Sequence, residues 1–232
     1  MQNPTFPTEI SNRFVVAQML IASALLLLNG CGGAGAEKAA IDELKSLGAT
    51  VLLQNERASS LVLSNMMGKE VDLDAALPLV PKLTKLDSLI LSGTQVTDEQ
   101  LKLVGQAKSL GDLQLSDTPI SDAGIKHLSG LTNLTSFYAS RTRLTSASMP
   151  VFGKLPKLST LGIDDTDISG GYESLQGLEG LTLLVAGKLK ITDADADAIV
   201  KIPNLKRLDI TGAEVAEDVV KKLQKGLPEV GL

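Results

Sequence analysis

The apolar positions of this chain fall on a fixed beat. Apolar-x-apolar pairs stand at Leu89/Leu91, Leu113/Leu115, Phe137/Ala139, Leu161/Ile163, Leu184/Ala186 and Leu208/Ile210, at successive spacings of 24, 24, 24, 23 and 24 residues. Each pair is preceded by a leucine three residues earlier, from Leu86 to Leu205, and followed by a further apolar residue, from Val96 to Val215. Leu61/Leu63 form an earlier, degenerate copy. Repetition at one period marks a repeat architecture. Within each pair the alternation is that of a strand with both apolar side chains on one side. Between the strands, Thr97-Asp98-Glu99-Gln100 has capping-box spacing, Ser121-Asp122 and Thr192-Asp193 offer similar caps, and Ile125, Leu128 and Leu131 recur at helical spacing. Short return helices are therefore predicted. Gly170-Gly171, in the copy that is one residue shorter, predicts an irregular return. One such unit cannot bury its apolar edge alone, so the copies must stack.

The unit reads L-x-x-L-x-L-x-x-T-x-I-T-D-x-x-L and resembles the leucine-rich repeat, in a bacterial 24-residue variety with Thr at the usual Asn/Cys position. The resemblance implies an α/β solenoid: a curved parallel sheet of about seven short strands, short helices on the convex side and a helix-hairpin cap at the N-terminal end. Thr94, Thr118, Thr142 and Thr166 share one register and are expected to form a hydroxyl ladder serving the turn backbone. Leu189 and Ala213 interrupt it, so looser turns are expected there. Residues 37–60 are predicted to form the cap, a helix near Ala39–Leu47 and a hairpin around Asn55-Glu56-Arg57. Residues 61–232 then hold the repeats, closed by a helix carrying Val219, Val220, Leu223 and Leu227.

The first thirty residues have a different character. Phe14 to Leu28 is an apolar stretch of about fifteen residues, short for a spanning helix (roughly 20) and suited to the apolar region of a secretory signal. Leu28-Asn29-Gly30-Cys31 resembles the lipobox of bacterial lipoproteins, although Asn29 stands where Ala, Ser or Thr is usual. The resemblance implies that residues 1–30 are a signal peptide and that Cys31 becomes the lipid-bearing first residue, anchored in the bacterial cell envelope after export across the inner membrane. An uncleaved anchor and an ordinary secretory signal are the alternatives. Residues 31–36, rich in Gly and Ala, are expected to be a flexible tether.

Charge and composition narrow the function. A formal net charge of −5 with no Lys/Arg run disfavours nucleic acid as a partner. Cys31 and His127 are the only residues of their kinds, so an intrachain disulfide, a thiolate cluster and a multi-histidine metal site are all excluded. Asp193-x-Asp195-x-Asp197 begins like an EF-hand loop, but Ala198 and Asn204 stand where Gly and Glu are required, so helix-terminal carboxylates are the simpler expectation. Asp164, Asp165 and Asp167 have no basic or nucleophilic partner marked by sequence. No enzyme activity, cofactor or metal is expected.

The outward strand positions are the better candidates. Val62, Ile90, Gln114, Tyr138, Asp164, Leu183, Val185, Arg207 and Asp209 are assigned to the concave face. Ile90, Tyr138, Leu183 and Val185 are apolar where solubility alone favours polar groups, which suggests a protein-binding surface; the competing explanation is that such residues simply suit strands. Arg141 and Arg143 are expected on its rim. The expectation is a monomeric, membrane-anchored scaffold for a protein or peptide partner; the alternative is a structural or self-assembling envelope component without a concave-face ligand.

Overall fold

A computed structural model describes residues 32–64 and 70–232. The signal-peptide assignment and Cys31 lie outside the described residues. A helix, α1 (Gly32–Ser46), is followed by an antiparallel hairpin of β1 (Thr50–Gln54) and β2 (Arg57–Val62). Parallel strands then follow once per turn of the chain: β3 (Ser88–Ile90), β4 (Asp112–Gln114), β5 (Ser136–Tyr138), β6 (Thr160–Gly162), β7 (Leu183–Val185), β9 (Arg207–Asp209) and β11 (Glu229–Gly231). With the hairpin they form a nine-stranded sheet in the order β1-β2-β3-β4-β5-β6-β7-β9-β11.

Two features depart from the sequence expectation. α1 begins at Gly32, so residues that composition marks as a tether are helical. β11 adds a final strand beyond the closing helix, Val230 pairing with Leu208 and covering the last sheet edge.

The core is a column of one side chain per turn. Leu61, Leu89, Leu113, Phe137, Leu161, Leu184 and Leu208 are in direct register across the sheet and at most 1% exposed. Phe137 is the one aromatic in this column. Its ring meets Phe152 at 5.3 Å between centroids, tilted by 45°, an arrangement aromatic pairs favour. The return segments are single turns: α2 (Leu73–Ala76), α3 (Leu101–Val104), α4 (Asp122–Ile125) and α5 (Met149–Phe152), all but α3 directly beside a stretch of 3-10 backbone. The shortened copy has only a 3-10 turn, Tyr172–Leu175, after Gly170 and Gly171 at φ +91° and +85°. Longer helices α6 (Asp193–Ile199) and α7 (Glu217–Gly226) close the structure.

The Thr register holds its turns in a particular way. Each hydroxyl donates to the carbonyl three residues back, Thr94 to Leu91, Thr118 to Leu115, Thr142 to Ala139 and Thr166 to Ile163, at 2.6–2.7 Å. They act within each turn rather than as a chain along the stack. The turns lacking Thr are not looser. Leu189 is 2% exposed and fills the slot with apolar bulk. A second parallel ladder, β8 (Lys190–Ile191) with β10 (Glu214–Val215), supplies backbone bonds there.

Carboxylates stitch neighbouring turns together. Asp98 accepts from the Ser121 N–H (2.8 Å) and hydroxyl (2.6 Å). Asp122 repeats the contact one turn on, accepting from the Thr145 N–H (3.0 Å) and hydroxyl (2.6 Å) and from the Ser148 hydroxyl. Burial raises the Asp122 pKa, but the bonds from Ser148 and Thr145 outweigh it and hold the carboxyl below its ordinary value. A lowered carboxylate contributes stability that is present above the unfolded value and lost as pH falls through the folded one. Asp122→Asn is therefore expected to melt below the parent protein at pH 7, with the gap closing as pH drops below about 4. Melting temperatures from pH 7 to 3 test this, and a gap independent of pH contradicts it.

Tyr172 is fully buried and its hydroxyl has no hydrogen-bond partner. Burial, then the negative charge of Asp195, pushes its pKa up. Removing an unsatisfied hydroxyl relieves a desolvation cost. Tyr172→Phe is expected to be neutral or stabilising by up to about 1 kcal/mol, read as an unchanged or higher urea midpoint. A clear loss of stability would show that the hydroxyl is satisfied.

Candidate functional site

Strand pairing gathers eight of the nine assigned concave-face residues into two columns. Val62, Ile90, Gln114, Tyr138, Val185 and Asp209 share one column with Gly162, each opposite the next across the sheet. Leu183 and Arg207 belong to the neighbouring column with Ser88, Asp112, Ser136 and Thr160. Asp164 is displaced from both. It follows β6 on the rim, where it accepts from the Ser140 hydroxyl and lies 3.9 Å from Arg141. Val62, Ile90, Tyr138, Leu183 and Val185 are all partly exposed.

Tyr138 is the organising side chain. A Cβ built on Gly162 would fall 2.6 Å from the Tyr138 ring, so the ring leans across the next strand and occupies the space that a side chain there would need. The ring thus lies over β6, on the side of β5 that faces Leu183 and Val185 of β7. The signal was present in the sequence only as a glycine in an outward position.

The charged members of the face are already engaged. Asp112 accepts from the Ser88 hydroxyl (3.0 Å) and the Gln114 amide (3.1 Å). Arg207 pairs with Glu229 at 3.3 Å. Asp209 accepts from the Thr211 hydroxyl (2.6 Å) and N–H (2.9 Å), which together hold its carboxyl below the usual range. These bonds fix polar groups around the apolar residues of the face, as the rim of a protein interface requires.

Beside the strands runs a column of left-handed backbone that sequence reasoning missed. Asp117, Arg141, Asp165 and Lys188 have φ of +59°, +55°, +55° and +57°, between Gly93 and Gly212 at +73° and +72°. The two glycines in one register were its only sequence signal. Charges alternate along it. Arg141 grips Asp117 with two bonds, Nε at 2.5 Å and Nη2 at 2.6 Å, and Lys188 meets Asp165 at 3.0 Å. Arg141 is thus committed to the ladder. Each exposed pair contributes little stability, but together they hold the loop side chains in place.

The acidic run at the start of α6 has structural partners. Asp195 closes a reciprocal capping box with Thr192 at the start of α6, and Asp193 and Asp197 both bind Lys222 of α7. His127 is partly exposed on the 3-10 turn after α4.

No protein-family model matches the chain, and no curated protein sequence matches it. Solved structures do. An internalin of Listeria monocytogenes, inlF, superposes with a TM-score of 0.58 at 21% identity over 83% of this chain, which spans 54% of that internalin's length. A second Listeria monocytogenes internalin, internalin C2, superposes with a TM-score of 0.59 at 20% identity, covering 85% of this chain and 92% of its own. Internalins are leucine-rich-repeat proteins, and with the register-aligned strands and one-turn returns described above, the fold of this chain is a leucine-rich-repeat solenoid.

Proposed function

We propose that this chain is a lipid-anchored, extracytoplasmic scaffold whose concave sheet face binds a protein or peptide. The observation that carries the reading is the Tyr138 ring lying over Gly162, toward the partly exposed Leu183 and Val185 of β7, with bonded Asp112, Arg207 and Asp209 on the same face. A rigid aromatic anchor set among fixed polar groups is the anatomy of a binding hot spot. Anchoring rests on the lipobox-like Leu28-Asn29-Gly30-Cys31, whose resemblance supports a position at the bacterial cell envelope. Among the described residues no helix is long and apolar enough to cross a membrane. The bonds that engage Asp112, Asp164 and Asp209 on the face and its rim favour binding over catalysis there.

Ile90→Glu/Tyr138→Glu places charge at two outward positions of the concave face without touching the core. Crosslinked pull-downs from the native cells are expected to lose one or more proteins that the parent retains. Retention of every partner, with an unchanged circular dichroism spectrum, would remove the concave face from the proposal. Cys31→Ser is expected to release the protein from the membrane fraction.

A further inference from the structure

The helix α1 starts at Gly32, the residue directly after Cys31. It packs against the β1–β2 hairpin. A lipid on Cys31 therefore has no tether on which to swing, and the N-terminal end of the solenoid is held at the anchor.

That end carries an unusual surface. Leu52 and Leu53 are 56% and 47% exposed; the other large exposed hydrophobic residue among those described, Leu232, is at the far terminus. Leu52 pairs with Ser60, on the outward face of the sheet, and Leu53 pairs with the buried Ala58, on the α1 side. The two leucines thus project from both faces of one outermost strand. Between α1 and the hairpin lies an open cavity of about 720 Å³, lined by Ile41 and Leu53, by Lys38 and Lys45, by Asp42 and Glu56, and by Arg57, whose guanidinium is bonded to Thr84 and to the buried Glu37.

We infer that the N-terminal end is the membrane-facing surface of the protein. Leu52 and Leu53 enter the boundary between headgroups and acyl chains of the bilayer that holds the lipid of Cys31, and Lys38 and Lys45 meet lipid phosphates. Apolar side chains flanked by cations suit that boundary. The inference rests on the lipid-anchor reading. A second copy of the chain pairing along β1 is less well supported, because the register shift between Leu52 and Leu53 marks a bulge. Bulges twist an edge away from strand addition. With β1 at the membrane, the strand order counts distance from it. At about 4.8 Å per strand, Tyr138 on β5 stands about 20 Å above the surface, clear of the headgroups.

The test uses the full chain, matured in bacteria and reconstituted in phosphatidylethanolamine/phosphatidylglycerol vesicles. Cys31 is the only cysteine and its thiol is consumed by the lipid, so Leu53→Cys and Glu229→Cys each supply a single site for an environment-sensitive dye. The dye at position 53 is expected to shift to the blue and to be quenched by spin-labelled lipid; at position 229 it stays accessible to aqueous iodide. Iodide quenching at position 53 in protein that floats with the vesicles overturns the membrane face and leaves the anchor intact. A dye at position 53 that is shielded equally in detergent, with the mass of a dimer, overturns the inference in favour of a second copy. Protein that does not float with vesicles fails one step earlier and overturns anchor and face together.

Discussion

Replacing Phe137 with alanine is expected to destabilise the fold by about 3–5 kcal/mol. The ring is 1% exposed, packs on Phe152 and sits in the middle of the one-residue-per-turn core column. Its size is matched to its surroundings. Where other turns place two large residues on the strand, as in Leu113/Leu115, this one has Phe137 with Ala139. Leu184/Ala186 shows another solution, with Leu189 occupying the usual Thr slot as a buried apolar group. Phe137→Leu alone leaves the turn under-filled and is expected to cost about 1 kcal/mol, while Phe137→Leu/Ala139→Leu restores the volume of its neighbours and is expected to recover part of that loss. Urea unfolding followed by circular dichroism measures all three. A double variant no more stable than Phe137→Leu would contradict the packing account.

Gly153→Val is expected to cost about 3 kcal/mol, by a different route. A Cβ on Gly153 would fall 2.2 Å from the backbone oxygen of Ser174 in the next turn. Gly105 has the same relation, at 2.2 Å, to the backbone oxygen of His127. No rotamer relieves a clash that begins at Cβ and ends on backbone, so adjacent turns must separate. In a solenoid each turn is held chiefly by its neighbours, and prying two apart loses their shared core. Gly177, around which nothing lies within 4 Å, is the control. Gly177→Ala is expected to leave the unfolding midpoint nearly unchanged. Equal effects at the two glycines would contradict close approach as the cause.

What was legible in the sequence follows a physical division. The strand columns were visible because side chains alternate and the copies recur at a nearly constant spacing, so Val62 to Asp209 could be aligned before any coordinates. Asp98 and Asp122 were visible only as parts of helix caps. Their bonds to Ser121 and Thr145 reach 23 residues along the chain, and a contact made only by stacking leaves no local signature. The same holds for the Arg141–Asp117 pair, which engages a residue expected on the rim of the face. Asp164 was counted with the face because it follows a strand; it lies two residues beyond Gly162, in the next column with Ser140. β11 was missed because Glu229-Val230-Gly231 is too short to show alternation and pairs only because the sheet edge needs covering. The helix at Gly32 overrides a composition that favours a loop, and that difference ties the end of the solenoid to the proposed anchor.

The central claim is that the concave sheet face, organised by Tyr138, is where a partner binds. The most direct measurement places a photo-crosslinking amino acid at position 138, and separately at the exposed Lys154 on the return side, in the native cells. The account predicts a discrete adduct from position 138, identifiable by mass spectrometry, and none from position 154. Adducts from position 154 alone, or none from 138 in a chain that is folded and membrane-associated, would contradict it.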